Sequence, residues 1–269
     1  MRYLLIPCLA ASLLLSACST TEEAVESLSA DEIYTRAEAA QEEGNFIRAA
    51  DLFEEVERLY PYDRLATEAQ LQAAFSQYQE QRYDEAILSL ERFIELHPGH
   101  PRIDYAYYLR ALSFYEQISD VRRDQAMTEQ ALEALNVLIR RFPASPYTRD
   151  ATLKADLALD HLAGKEMEIG RYYLNQNQVN AAINRFRRVI DDFQTTTHVP
   201  EALHRLVEAY LTLGVRDEAI RTAAVLGHNY PGSEWYEKTY ALVDDEGRAR
   251  MLSERSWLDR TVDSLLRAD

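Results

Sequence analysis

The stretch DEIYTRAEAAQEEGNFIRAADLFEEVERLYP, from Asp31 to Pro61, decides the fold of this chain. Ala37 and Ala40 mark one helix face, Gly44 breaks the pattern beside Phe46, Ala49 opens a second helix with the larger Phe53 four residues on, and Pro61 closes it. The physical reason for the spacing is packing: small Ala side chains let two antiparallel helices approach, a large apolar residue fills the gap, and Pro cannot continue a helix. The same pattern returns as Ala73, Ala74, Tyr83, Ala86, Leu90, Phe93 and Pro98, with Asp84, Glu85, Ala86 and Ile87 opening its second helix. It returns again as Leu203, Leu206, Val207, Tyr210, Gly214, Ala219, Ala223, Leu226 and Pro231. Phased on the Ala that opens each second helix, the units fall at Ala49, Ala86, Ala131, Ala182 and Ala219, with intervals of 37, 45, 51 and 37 residues.

Five such units resemble tetratricopeptide repeats, whose period is about 34 residues, with insertions in two intervals. The third unit carries a charged insertion around Ser119 to Met127 (Asp120, Arg122, Arg123, Asp124). In the fourth, Tyr147 to Gln176 contains no Pro, so a long first helix is expected, interrupted near Gly164, and Gln194 replaces the closing Pro in a loop of Thr195, Thr196 and Thr197. No unit can bury its own apolar face, so the expected fold is an all-α solenoid of about five helix-turn-helix units over residues 31–232, with a concave surface suited to segments of other proteins. Residues 233–269 form a C-terminal helical extension, in which Trp257, Leu258, Val262, Leu265 and Leu266 mark another amphipathic helix, read as a cap on the last repeat or a partner-binding arm.

Composition agrees. With 8 Gly and 8 Pro in 269 residues, a fold rich in tight turns is disfavoured. The 45 acidic residues against 29 Lys and Arg, a net charge of −16, exclude a nucleic-acid binder.

The first eighteen residues set the compartment. Arg2 supplies positive charge, Leu4 to Leu15 form an apolar run too short for a stable membrane span, and Leu15, Ser16, Ala17 and Cys18 resemble the lipobox of bacterial lipoproteins. Residues 1–17 are then a signal peptide, Cys18 is acylated, and residues 18–30 are the lipidated N-terminus and linker. A single acyl chain binds a membrane reversibly, whereas the several chains of a lipoprotein cysteine anchor it durably. Ser19, not Asp, follows the cysteine, as in lipoproteins passed to the outer membrane. Cys8 leaves with the signal, so the mature chain has no free thiol for disulfide or metal chemistry.

Catalytic patterns are missing: there is no H-E-x-x-H, no G-x-S-x-G, no phosphate loop and no G-x-G-x-x-G, so no enzyme, cofactor or metal is expected. Tyrosine is the informative residue. Of 17 in the chain, Tyr105, Tyr107, Tyr108 and Tyr115 share one helix with Phe114, and Tyr60 and Tyr62 flank a turn. Not all of these can face one core, and tyrosine offers a large, rigid contact surface, so a binding groove is expected.

Three segments carry a resemblance to the BamD, or ComL-like, family of lipoproteins: Asp31-Glu32-Ile33-Tyr34, His97-Pro98-Gly99-His100-Pro101-Arg102-Ile103-Asp104-Tyr105, and Arg141-Phe142-Pro143-Ala144-Ser145-Pro146-Tyr147. The likeness runs over about residues 28–232. It implies a non-catalytic subunit of the β-barrel assembly machinery on the inner leaflet of the outer membrane, facing the periplasm. Its implied partners are the periplasmic domains of the barrel protein BamA, other lipoproteins of that machinery, and unfolded outer-membrane proteins. By position, Asn184, Arg185 and Phe186 match the family's BamA-contact helix. Arg185 is the expected interfacial ion-pair residue, with Arg188 and Tyr172 beside it. The implied client groove takes Tyr60, Tyr62, Tyr78, Tyr105 and Tyr108. The alternative is a repeat-containing lipoprotein scaffold for cell-wall or polysaccharide-export machinery. The chain departs from the family in a shorter insertion near Asp120, a linker poor in Pro and a longer tail.

Overall fold

The computed structural model describes residues 25–266, with side chains through Arg260. The signal segment, Cys18 and the side chains of Val262, Leu265 and Leu266 lie outside the described residues. Twelve α-helices and no strand occur among them: α1 (Ala30–Glu42), α2 (Phe46–Leu59), α3 (Arg64–Gln79), α4 (Tyr83–Leu96), α5 (Ile103–Tyr115), α6 (Ala126–Arg141), α7 (Thr148–Asn175), α8 (Val179–Asp192), α9 (Val199–Thr212), α10 (Arg216–Asn229), α11 (Glu234–Leu242) and α12 (Asp245–Leu266). The all-α repeat fold is thus as expected. The chain forms two compact units, divided within α5 after Leu109.

In the first unit α1, α2 and α3 close on Ile33, Ala37, Phe53 and Val56, each fully buried. In the second, α7 to α10 enclose Met167, Phe186, Val207 and Leu226, and Val243 and Met251 bring the tail onto the same core. Ala49, Ala86, Ala131, Ala182 and Ala219, the five alanines that phase the repeats, are all fully buried.

Two kinds of turn recur. Between the helices of a repeat, one residue takes a left-handed backbone: Gly44 (φ 76°), Gln81 (φ 61°), Asn177 (φ 58°) and Gly214 (φ 74°). The next residue's N–H then reaches back to the helix, Asn45 to Ala40 O, Arg82 to Gln77 O, Gln178 to Tyr173 O and Val215 to Tyr210 O, and satisfies a terminal carbonyl. Glycine meets this conformation without strain, whereas a glutamine does not. Gln81→Gly is expected to raise the urea midpoint by the equivalent of about 0.5 to 1 kcal/mol, and Asn177→Gly by less, because asparagine tolerates this region. An unchanged or lowered midpoint for Gln81→Gly would mean that the strain is absent.

Between repeats, every second helix ends on an aromatic residue whose carbonyl accepts from the N–H three residues on: Tyr60 from Asp63, His97 from His100, Phe142 from Ser145, Phe193 from Thr196 and Tyr230 from Ser233. Pro61, Pro98, Pro143 and Pro231 take the second position, where their fixed φ suits the turn. Gln194 replaces Pro without loss of the turn, since the Thr196 hydroxyl adds a bond to Phe193 O at 2.8 Å.

Three expectations are corrected. First, α7 runs unbroken for 28 residues, about 42 Å at 1.5 Å per residue, and Gly164 does not interrupt it. That glycine is a close-approach site, because a Cβ there would stand 3.2 Å from His198 Nε2 and 3.4 Å from Val121 Cγ2. Second, the tail is two helices: the chain is extended at Val243, and the Asp244 carboxylate accepts from Gly247 N–H at 2.8 Å to start α12. Third, the segment before α1 is already packed, with Leu28 buried and Ser29 and Glu32 forming a reciprocal cap.

Candidate functional site

The second unit builds its most structured polar site on α7 and α8. Glu166 sits in the buried stripe of α7, three residues after Ala163 and four before Gly170, and only 9% of its side chain is exposed. A buried carboxylate must be paired, and α8 supplies both partners one turn apart. Arg185 Nη1 donates to one oxygen at 2.9 Å and Arg188 Nη1 to the other at 2.8 Å. Arg185, expected to face a partner, is therefore already engaged within the chain. Arg187 turns elsewhere, donating to the Tyr210 hydroxyl at 3.0 Å. Arg188 is half-exposed, and its Nε lies 3.4 Å from Asp192.

Beside this pair lies a groove of about 580 Å³, lined by apolar Leu162, Ile169 and Phe193, by cationic Arg122, Arg123, Lys165 and Arg188, and by acidic Asp124, Glu129 and Glu166. The charged insertion of the third repeat is fastened here. Lys165 Nζ donates to the Arg122 and Arg123 carbonyls at 2.8 and 3.1 Å, and Gln125 Nε2 donates to the carbonyls of Asp120, Val121 and Arg123. From Arg122 a line of alternating charge crosses two helices, α7 and α9: Glu168, Arg171, Glu201, Arg205 and Glu208, with His204 beyond. Hydrogen bonds from His204 and then Arg205 hold the Glu208 carboxyl down at about 2, so it keeps its charge in mild acid. His204 Nδ1 meets Thr239 Oγ1 at 2.8 Å, which ties the line to α11.

Asn184 is exposed on α8, and Tyr172, 60% exposed, lies six residues beyond Glu166 on α7. Arg188 is exposed as well, whereas Arg185 is only partly so.

In the first unit the tyrosines separate. Tyr60 is half-buried and donates its hydroxyl to Leu28 O at 2.5 Å, so it seals the entry to the first repeat instead of lining a free groove. Tyr62 is wholly exposed. Tyr78 stands near the far end of α3, about 21 Å along the axis from Arg64, with its ring 5.6 Å from Tyr83. Tyr105 lies under the Arg102 guanidinium at 5.1 Å, and Arg102 pairs with Glu68. Tyr108 is half-buried, whereas Tyr107 is buried. Tyr105 and Tyr108 thus share α5, Tyr60 and Tyr62 share the turn after α2, and Tyr78 lies near the end of α3. Nearby, burial and the charges of Glu68 and Glu38 push the Tyr34 phenol up to about 12.

Glu166 was the site residue missed by sequence reasoning. An acid inside the small-residue stripe of Ala155, Ala163 and Gly170 was its signal, because that stripe faces the core. Among the described residues no group of three or more His, Cys, Asp or Glu could hold a metal ion, and no helix is long and apolar enough to cross a membrane.

Residues 26–226 match the family model YfiO, described as an outer membrane lipoprotein. The chain is similar to the outer membrane protein assembly factor BamD of Caulobacter vibrioides, 50% identical over 215 residues that cover 80% of this chain and 70% of the relative. It is 35% identical over 250 residues to the BamD of Neisseria meningitidis serogroup A, covering 87% and 93%. A tetratricopeptide repeat protein of Thermus thermophilus superposes with a TM-score of 0.37 and 21% identity, over 80% of this chain and 98% of that one.

Proposed function

Because the chain belongs to the YfiO family of outer membrane lipoproteins, which includes the BamD assembly factors, we propose that it is a non-catalytic lipoprotein subunit of outer-membrane protein assembly. The observation that carries this reading is that the likeness extends from the turn before α1 into α10, through all five repeats. A lone shared repeat would carry only a fold. In this reading the signal is cut before Cys18, the acylated cysteine holds the protein on the inner leaflet of the outer membrane, and the repeats face the periplasm.

The partner face centres on α8. Asn184, Tyr172 and the outer donors of Arg188 meet an acidic segment of BamA, and the Glu166 pair holds Arg185 and Arg188 in place for it. Arg185, 35% exposed, contributes through its remaining N–H groups. Tyr105 and Tyr108 on α5 serve as aromatic anchors for unfolded outer-membrane proteins. At about 1.5 to 3 kcal/mol per fully buried apolar side chain, two anchors give a weak, reversible site. The helices α11 and α12 cap the last repeat, through Val243 and Met251, and leave the exposed flank of α12 for accessory lipoproteins.

The test is affinity purification of the acylated protein from mildly solubilised outer membranes. A barrel protein with several periplasmic domains should come with it in near-equal amount, and recovery of cell-wall or polysaccharide enzymes alone would overturn the reading. Tyr172→Ala with Asn184→Glu should lower that recovery at unchanged helicity, since neither side chain is buried and the added carboxylate repels an acidic segment. Cys18→Ser should move the protein, still folded, to the soluble periplasmic fraction, and persistent attachment would mean that protein contacts anchor it.

A further inference from the structure

Five turns of one geometry allow each repeat to be compared with the others, and one residue stands out. The third position of the inter-repeat turn is occupied by Tyr62, Gly99, Ala144, Thr195 and Gly232. All five are exposed, and in all five the hydrogen bond across the turn is the same. The backbone asks nothing of this position, and four repeats place a small residue there. The first repeat places a tyrosine whose side chain is 101% exposed, the most exposed large apolar side chain described. A single exposed ring is ordinary in itself; what sets this one apart is its place beside the point where the chain enters the first repeat.

The surroundings say what it meets. The turn is bound to the point where the chain enters the first repeat: the neighbouring Tyr60 hydroxyl holds Leu28 O, and Arg58 on α2 reaches Glu26 at 3.8 Å. Between Val25 and Cys18 stand only six residues, Ser19 to Ala24. Seven Cα steps span at most about 25 Å, so an acylated Cys18 keeps this end of the first repeat close to the lipid surface. The flanking charges are acidic on balance: Arg58 lies between Glu55 and Glu26, Arg64 pairs with Asp31, and Asp63 in the turn adds a further carboxylate. A mildly acidic rim with one projecting, amphipathic ring suits the interfacial layer of a zwitterionic phospholipid membrane, where tyrosine is favoured, and not a strongly anionic surface.

We propose that Tyr62 is a membrane-contact residue, which inserts its ring among phospholipid headgroups and fixes the tilt of the first repeat over the membrane. The proposal rests on acylation of Cys18, and it takes Tyr62 out of the client groove. The test uses the acylated protein on phosphatidylcholine vesicles that carry a nitroxide-labelled lipid. The mature chain has no other cysteine, so Pro61→Cys, at a position where the fourth repeat already uses Gln194, accepts a single fluorophore; Pro98→Cys labels the matching turn of the second repeat. Quenching should be several-fold stronger at position 61 than at position 98, and Tyr62→Gly should reduce it at least two-fold while the protein still floats with the vesicles. Equal quenching at position 61 with and without Tyr62 would show that the tether alone sets proximity and would overturn the proposal. A protein that does not float would overturn the acylation reading and the membrane contact with it; one that floats unquenched would overturn only the contact.

Discussion

Arg185→Glu is expected to lower the unfolding free energy of the second unit by about 3 kcal/mol, before any effect on a partner is measured. Glu166, with 9% of its side chain exposed, depends on two guanidinium groups, one to each oxygen. Reversal removes one of them and sets a second carboxylate beside a buried one. Arg188 still holds one oxygen, which keeps the cost below that of an orphaned ion. The order expected in urea unfolding followed by circular dichroism is Arg185→Glu, then Glu166→Gln, then Arg188→Gln, since the amide keeps the shape and Arg188 is half in water. A neutral-pH midpoint for Arg185→Glu within a few tenths of a kcal/mol of the parent would show that this pair does not hold Glu166. Loss of partner capture by Arg185→Glu therefore confounds folding with contact, and Tyr172 and Asn184 are the cleaner probes.

The difference between what Arg185 was expected to do and what it does shows where sequence reading stops. The alanines at 49, 86, 131, 182 and 219 announced the repeats because close helix packing needs a small residue within each second helix, and all five are fully buried. That is a local requirement with a period, and periods are legible. The bond from Arg185 to Glu166 joins residues 19 apart on two helices. Nothing in the spacing separates Arg185 from Arg187, which turns instead to Tyr210 on α9. The break in the tail was equally hidden, because neither Val243 nor Asp244 is a breaker residue and the new helix starts from one carboxylate-to-backbone bond. Gly164 misled for the opposite reason. Its low helix propensity, about 1 kcal/mol against alanine, is outweighed by the packing of His198 and Val121 against the space where its Cβ would be. Of the candidate site, the acid that organises the arginines of α8 emerged only from the packing of α7.

One turn beyond Glu166 on α7, Gly170 sets the spacing on which that ion pair depends, and it carries the other large expected effect. Phe186 is fully buried, and its ring lies where any β-carbon on Gly170 would stand. Phe186→Ala is expected to cost about 3 to 5 kcal/mol, as ring loss leaves a cavity among helices that cannot collapse freely. Gly170→Ala is expected to cost about 1 to 3 kcal/mol by overpacking, since the ring is enclosed and has no free end to swing away. The informative variant combines Gly170→Ala with Phe186→Leu, which exchanges the added methyl for a smaller partner. If the two residues share one packing site, the double variant should lose at least about 1 kcal/mol less than the two single losses together, in urea unfolding. Strict additivity, within about 0.5 kcal/mol, would mean that α7 absorbs the methyl by moving away from α8. That movement would also draw Glu166 from Arg185 and Arg188, so Gly170→Ala alone would then reproduce part of the Arg188→Gln loss. Either way, the glycine governs how closely α7 and α8 approach, and through that distance it positions the charged face of α8.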